Sequence, residues 1–243
     1  MFSQKKEVKN HVTRIPLTTE EAQMCKLAGE APRMSDITWR IFRIMAEFVE
    51  GFQFLSQLSH EVTIFGSARL SPDSKWYKEA ERLGELLAKK GFTVVTGGGP
   101  GIMEAANKGA YDAGGQSVGI NIQLPSEQRI NPYVKLSRAF HYFFTRKVIL
   151  AASAQAYVYF PGGFGTVDEL FEILTLIQTE KSEKIPIVLI GHEYWDGLND
   201  WLHSIMFEKI GSVNQEDLKL FTIVDSAQEA FDLIKDSKDR TFF

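Results

Sequence analysis

Short apolar runs alternate with helical segments from residue 61 almost to the end of the chain. Val62-Thr63-Ile64-Phe65, Phe92–Val95, Ser117–Ile120, Ala156–Phe160, Ile187–Ile190 and Thr222–Val224 read as strands, and Val134–Phe140 as a further one. Between them, Ser74–Lys90, Ile102–Ala113, Phe143–Ala152, Val167–Thr179, Trp195–Lys209 and Ala227–Lys235 carry helical spacing. Gly91 and Gly114-Gly115 stand where helix stops are expected. Strands that are apolar throughout, not alternating, suit a sheet covered on both faces. The pattern therefore predicts an α/β fold with a Rossmann-like, doubly wound, mostly parallel sheet flanked by helices.

Residues 1–59 precede this pattern and read as an N-terminal extension with one long helix, leaving 60–243 as the core. Pro16, Gly29 and Pro32 break the first stretch. Ser35 and Asp36 then stand where a helix cap is expected, ahead of Ile37, Ile41, Ile44, Met45, Phe48, Val49, Phe52 and Leu55 at helical spacing. Met1–Asn10 is polar and unlike a signal peptide. Val148–Phe160, the longest mostly apolar stretch, is interrupted by Ser153 and Gln155 and is too short to span a bilayer. A cytoplasmic protein without a membrane partner is expected. Lys and Arg number 27 against 31 Asp and Glu, a net charge of −4, which lacks the broad basic field of a nucleic-acid polymer binder. The single cysteine, Cys25, forms no internal disulfide, and no Cys/His spacing suggests zinc.

In open α/β sheets, ligands bind beyond the carboxyl ends of the strands. Three strand ends here carry unusual loops: Phe65-Gly66-Ser67-Ala68-Arg69, Thr96–Gly101 and Pro161–Thr166. In the third, glycines admit close backbone approach, and a helix expected to start near Thr166 would point its free N–H groups and dipole at the loop. That favours a phosphate, with the Thr166 hydroxyl as an added donor; a tight turn without ligand is the plain alternative. No Gly-Lys-Ser/Thr follows, and no G-x-G-x-x-G with a later acid follows a first strand, so neither a Walker ATPase nor a dinucleotide dehydrogenase is supported.

Asp168 and Glu169 follow the third loop, where an acid is favourable to the helix dipole, and Glu169 stands at capping-box distance from Thr166. By position alone Glu169 reads as structural more readily than catalytic. Glu104 sits similarly after Gly101. Arg146 and Lys147 interrupt an apolar, aromatic stretch; they form either a solvated helix face or an arginine held near an anion. His141 reads as packed.

The string Pro161-Gly162-Gly163-Phe164-Gly165-Thr166-Val167-Asp168-Glu169 matches P-G-G-x-G-T-x-x-E, with Arg146-Lys147 upstream and Gly97-Gly98-Gly99-Pro100-Gly101-Ile102-Met103-Glu104 before it. Together these resemble the Lonely Guy family of nucleoside-monophosphate phosphoribohydrolases, older label "lysine decarboxylase-like", over roughly residues 60–238. Asn121-Ile122, Asn131-Pro132-Tyr133 and Tyr194-Trp195 are similar to its larger bacterial branch. The resemblance implies a nucleotide-binding catalytic core that cleaves the N-glycosidic bond of a cytokinin riboside 5'-monophosphate or AMP. It assigns catalysis to Glu169 and Arg146, and substrate binding to Gly162, Gly163, Gly165, Thr166, Lys147, Glu104, Gly98, Gly99 and Ser67. It implies no cofactor, no metal, a nucleoside monophosphate as partner, and a homodimer or higher homo-oligomer. A non-catalytic nucleotide or molybdenum-cofactor carrier is the alternative. A decarboxylase would need pyridoxal phosphate on a lysine, for which no signature surrounds Lys147.

Overall fold

The computed structural model describes residues 34–123 and 130–238; Pro16, Cys25, Gly29, Pro32 and the middle of the loop at 121–132, Pro125 included, lie outside the described residues. The strands are β1 (Glu61–Phe65), β2 (Thr93–Thr96), β3 (Ser117–Ile122), β4 (Leu136–Phe140), β5 (Ala156–Tyr159), β6 (Ile187–Ile190) and β7 (Thr222–Val224). They form one sheet in the order β4-β3-β2-β1-β5-β6-β7, and every neighbouring pair is parallel. The helices are α1 (Met34–Leu55), α2 (Lys75–Lys90), α3 (Ile102–Asp112), α4 (Phe143–Ala152), α5 (Phe164–Gln178), α6 (His192–Trp201) and α7 (Ala227–Ile234). α6 continues in wider π-type turns over Leu202–Ile210.

The predicted doubly wound sheet follows from how the strands are buried. β2, β3, β5 and β6 are buried along their whole length, so their two sets of alternating side chains need two layers of cover. Val62, Ile64, Val94, Val158 and Val188 face Leu83 and Leu87 of α2, Ile102 of α3 and Ile234 of α7. Phe65, Val95, Ile120, Tyr157 and Leu189 face Ile149 and Leu150 of α4, Leu170 and Ile173 of α5, and Trp195 of α6. Ser74 caps α2 by accepting the Tyr77 N–H at 3.1 Å, and Gly91 ends it at φ 95°. The chain winds outward through β2, β3 and β4 on one side of β1, then returns to lay β5, β6 and β7 on the other. The crevice beyond β1 and β5 is the switch point where such sheets take ligands.

Two helix starts, and the packing of α1, differ from the sequence reading. α5 begins at Phe164, because Gly163 already holds the N-cap position and its carbonyl accepts the Thr166 and Val167 N–H groups. α6 begins at His192, where the backbone N–H of His192 is met by Asp225. The fully buried residues of α1 lie near its C-terminal end. Gly51 and Leu55 are buried, while Ile37, Trp39, Ile41, Phe42, Met45 and Val49 are exposed. Val148–Phe160 is divided between α4 and β5, and among the described residues no helix is long and apolar enough to cross a membrane.

The second loop is fixed from below by a buried asparagine. Asn107 of α3 accepts from the Thr96 hydroxyl at 2.6 Å and from Asn131 Nδ2 at 2.9 Å, and donates to Ser117 Oγ at 2.8 Å. Asn107, Thr96 and Ser117 are completely buried, so each polar atom depends on these partners. Asn107→Ala should therefore destabilise the fold by about 3 kcal/mol in urea unfolding, since it orphans several buried groups at once. A loss under about 1 kcal/mol would show that the network carries little of the fold.

Candidate active site

The third loop opens α5 with unmet donors. The backbone N–H groups of Gly163, Phe164 and Gly165 have no acceptor among the described residues, and all three residues are exposed. They sit at the positive end of a 15-residue helix, an arrangement that holds anions. Gly162 must lack a side chain, because a Cβ there would lie 2.1 Å from Thr166 Oγ1. Its carbonyl accepts the Tyr194 hydroxyl at 2.5 Å, which pins the loop to α6. Thr166 is the third residue of α5, not its first, and is buried against Gly162.

Glu169 lies in the second turn of α5, and its side chain is buried. The capping-box reading is not realised: α5 starts too early, and Gly163 makes no side-chain cap. Burial pushes the Glu169 carboxyl up to about 7, opposed by Arg146 and Lys147 and reinforced by Glu172 and Asp168. Below Glu169, its carbonyl accepts the hydroxyl of fully buried Tyr159 at 3.3 Å.

Arg146 is not on a solvated face. Its Nε donates to the Ile120 carbonyl at 2.9 Å, and a Cβ on Gly97 would meet its guanidinium at 2.5 Å. α4 thus drives Arg146 under the second loop and toward Glu169. Burial lowers its pKa while Glu169 raises it, and a guanidinium stays charged regardless. Lys147, the next residue, turns to α5 and pairs with Asp168 at 2.7 Å and Glu172 at 3.4 Å. Burial works against its charge, but the Asp168 hydrogen bond and the Glu172 and Glu169 carboxylates outweigh it and raise its pKa.

The second loop is held chiefly through its carbonyls. Asn121 donates to the Gly97 carbonyl at 3.2 Å; Asn131 meets the Gly98 carbonyl with its backbone N–H and the Gly99 carbonyl with its side chain. The Gly98 N–H is engaged by Thr96 Oγ1 at 2.9 Å, and Gly98 and Gly99 are buried. Ser67 of the first loop donates its N–H to the Pro161 carbonyl and accepts the Ile102 N–H, both at 3.0 Å, so it ties all three loops together. Glu104, in the first turn of α3, accepts the Tyr77 hydroxyl at 3.3 Å. The structure therefore gathers Glu169, Arg146, Lys147 and the α5 loop. Ser67, Gly98 and Gly99 join the loops at the same sheet edge, and Glu104 stands at the head of α3.

Sequence reasoning gave no role to Asn107 as an anchor or to Asp168 and Glu172 as partners of Lys147. Phe164, fully exposed at the mouth of the α5 loop beside Gly165, Val167 and Phe171, also carries no sequence signal beyond the motif's variable position. Among the described residues, no group of three His, Cys, Asp or Glu side chains could hold a metal ion.

A family model described as "Possible lysine decarboxylase" matches residues 103–234, more than half the chain. The chain belongs to this family. It is the Lonely Guy family under its older description. A protein of Archaeoglobus fulgidus is 36% identical over 120 residues, 49% of this chain and 78% of that one. A Mycobacterium tuberculosis protein named cytokinin riboside 5'-monophosphate phosphoribohydrolase is 30% identical over 156 residues, 62% of this chain and 81% of that one. Against an Oryza sativa relative, 30% identical, the match covers 60% of this chain and 61% of that protein. Among solved structures, the molybdenum cofactor carrier protein of Chlamydomonas reinhardtii superposes with a TM-score of 0.54 at 25% identity, over 72% of this chain and 95% of that one. In this Lonely Guy chain the motif glutamate is buried and the motif arginine is part-buried, near enough to lower the pKa of the carboxyl.

A carboxyl near 7 in the folded protein has a consequence for stability. Between the ordinary carboxylate range and about 7, the folded state keeps a proton that the unfolded chain has released. Stability therefore falls as pH rises through that window. Glu169→Gln mimics the neutral form. It should be more stable than the parent by on the order of 2–3 kcal/mol at pH 8, with the difference closing toward pH 5, in parallel urea titrations. Equal stability at both pH values would contradict the buried, raised carboxyl.

Proposed function

We propose that this protein hydrolyses the N-glycosidic bond of a nucleoside 5'-monophosphate, releasing the free base and ribose 5-phosphate. One observation carries the reading: a buried carboxyl, Glu169, on the helix whose N-terminal loop presents outward N–H donors, with the part-buried guanidinium of Arg146 close enough to act on it. The names of the Mycobacterium tuberculosis and Rhodococcoides fascians relatives support it.

The loop of Gly162, Gly163 and Gly165 would take the 5'-phosphate, so that binding energy remote from the reacting bond positions the ribose. Cleavage passes through an oxocarbenium-like ribose. The ionised Glu169 stabilises that positive charge and orients or deprotonates water, which adds hydroxyl to C1'. The departing base nitrogen takes up the remaining proton, and Arg146 holds the nucleotide or assists the leaving base. Lys147 contributes through Asp168 and Glu172, and its engagement as an ammonium weighs against a Schiff-base role, which requires the free amine.

Chromatography of a nucleoside-monophosphate panel should show adenine released from AMP or a modified base from its riboside monophosphate. Adenosine should be turned over at least about 100-fold less efficiently. Glu169→Gln should lower kcat by about 1,000-fold. For the parent, kcat/KM should rise with pH through about 7 and level off above it, as Glu169 ionises. Equal turnover of AMP and adenosine would remove the phosphate role from the loop. Tight AMP binding with no base release would favour a carrier, the reading supported by the likeness to the Chlamydomonas protein.

The same reading includes self-association. Trp39 and Phe42 on α1, with Phe143 and Phe144 on α4, expose the apolar area that a second copy would cover. Sedimentation velocity should show a dimer or larger species, and a monomer at micromolar concentration would refute it.

A further inference from the structure

The first turn of α4 lies beside the candidate site, and its own sequence does not cap it. Tyr142 holds the N-cap position at φ −102° and ψ 133° and makes no side-chain cap hydrogen bond. The leading N–H groups of a helix have no acceptor within the helix. Glu47 on α1 takes the N–H of the N-cap residue Tyr142 and that of His141 just ahead of it, 94 residues along the chain from Glu47. Its Oε1 accepts the His141 N–H at 2.6 Å, and its Oε2 accepts the Tyr142 N–H at 3.3 Å. Oε2 also accepts the hydroxyl of Thr145, which is completely buried. A carboxylate placed there meets the positive end of the helix dipole as well.

α1 grips the same corner at three further points. Glu50 pairs with Arg138 of β4, and the Arg40 guanidinium lies 5.7 Å from the Tyr142 ring centroid. Gly51 brings α1 so near α4 that a Cβ would fall 2.7 Å from Ile149 Cδ1. Arg146 follows Thr145 directly and donates its N–H to the Tyr142 carbonyl at 3.2 Å. Each helical residue turns the side-chain direction by about 100°, so the seating of this first turn decides where the Arg146 guanidinium arrives.

We propose that Glu47 is a positioning residue for the site: by holding the first turn of α4 it aims Arg146 under Gly97 and toward Glu169. The kinetic part of its test rests on the function proposed above, whereas the spectroscopic part does not. The charged and titratable groups facing Glu169 are Arg146 and Lys147 from α4, Asp168 and Glu172 from α5, and Tyr159 from β5. Arg146 is the strongest of the groups holding the carboxyl down, so displacing it releases Glu169 upward.

The test uses the full chain with Glu47→Ala, Glu47→Gln, Arg146→Ala and the Glu47→Ala/Arg146→Ala double variant. Carbon-13 NMR of glutamate-labelled protein follows the Glu169 carboxyl, assigned by its absence in Glu169→Gln. In Glu47→Ala its midpoint should move up by about half a pH unit or more, and by less in Glu47→Gln, which keeps one carbonyl acceptor. Arg146→Ala should give the full movement, with nothing added by the second substitution. For AMP, kcat/KM should fall about 10-fold in Glu47→Ala and about 3-fold in Glu47→Gln, with the double variant no worse than Arg146→Ala. An unmoved Glu169 midpoint in folded Glu47→Ala, or losses that multiply in the double variant, would overturn the proposal. If Glu47→Ala does not fold, Glu47→Gln and Thr145→Val carry the same comparison. If the parent releases no base, the proposed function fails while the NMR midpoint still decides the role of Glu47.

Discussion

A part-buried guanidinium is favoured by a hydrogen-bond acceptor and a nearby carboxyl, and the site is organised around bringing both to Arg146. The Ile120 carbonyl at the end of β3 takes its Nε, and the carboxylate of Glu169 on α5 supplies the charge. The space exists because Gly97 lacks a side chain. Four segments of the chain must therefore reach one point: the second loop, the end of β3, the first turn of α4, and the second turn of α5. The dependence is mutual. α5 packs Leu170 and Ile173 against the sheet and buries Glu169, and Arg146 and Lys147 keep that carboxyl from rising further.

Part of the buried polarity gathers around the loops. While Thr63, Thr93, Ser153 and Gln155 are buried elsewhere, Thr96, Asn107, Asn121 and Asn131 are buried at or beneath the second loop. Burial of such groups is unfavourable unless each meets a partner, so they form a network that fixes the loops. Asn131 bonds both to the second loop and to Asn107, while Ser67 bridges the first loop to the other two. The α5 loop differs: its outward N–H groups meet no acceptor among the described residues, an arrangement that suits an anion.

The larger elements were legible because their signals are local. Apolar strands such as Ile187–Ile190 and helix stops such as Gly91 stand where they were expected. Helix starts were less legible. Phe164-Gly165 reads as loop by propensity, yet Gly163 begins the helix there. α1 carries helical apolar spacing, but half of that face remains exposed, since spacing specifies a face without saying what covers it. In the site, Glu169 and Arg146 were marked by motif, while position alone favoured a structural role for the first and left the second open between a solvated face and an arginine held near an anion.

The sequence by itself determined the alternation of strands and helices, the glycine loops at strand ends, and the family motif that joins them, because these depend on neighbours within a few residues. Only the tertiary structure decided that Lys147 turns to Asp168 and Glu172 while Arg146 turns inward, and that Glu47 holds the backbone at the start of a helix more than 90 residues along the chain. It also decided that Glu169 is buried and holds its proton to about 7. These outcomes depend on burial and on charges brought together through space, which a linear order of residues does not contain.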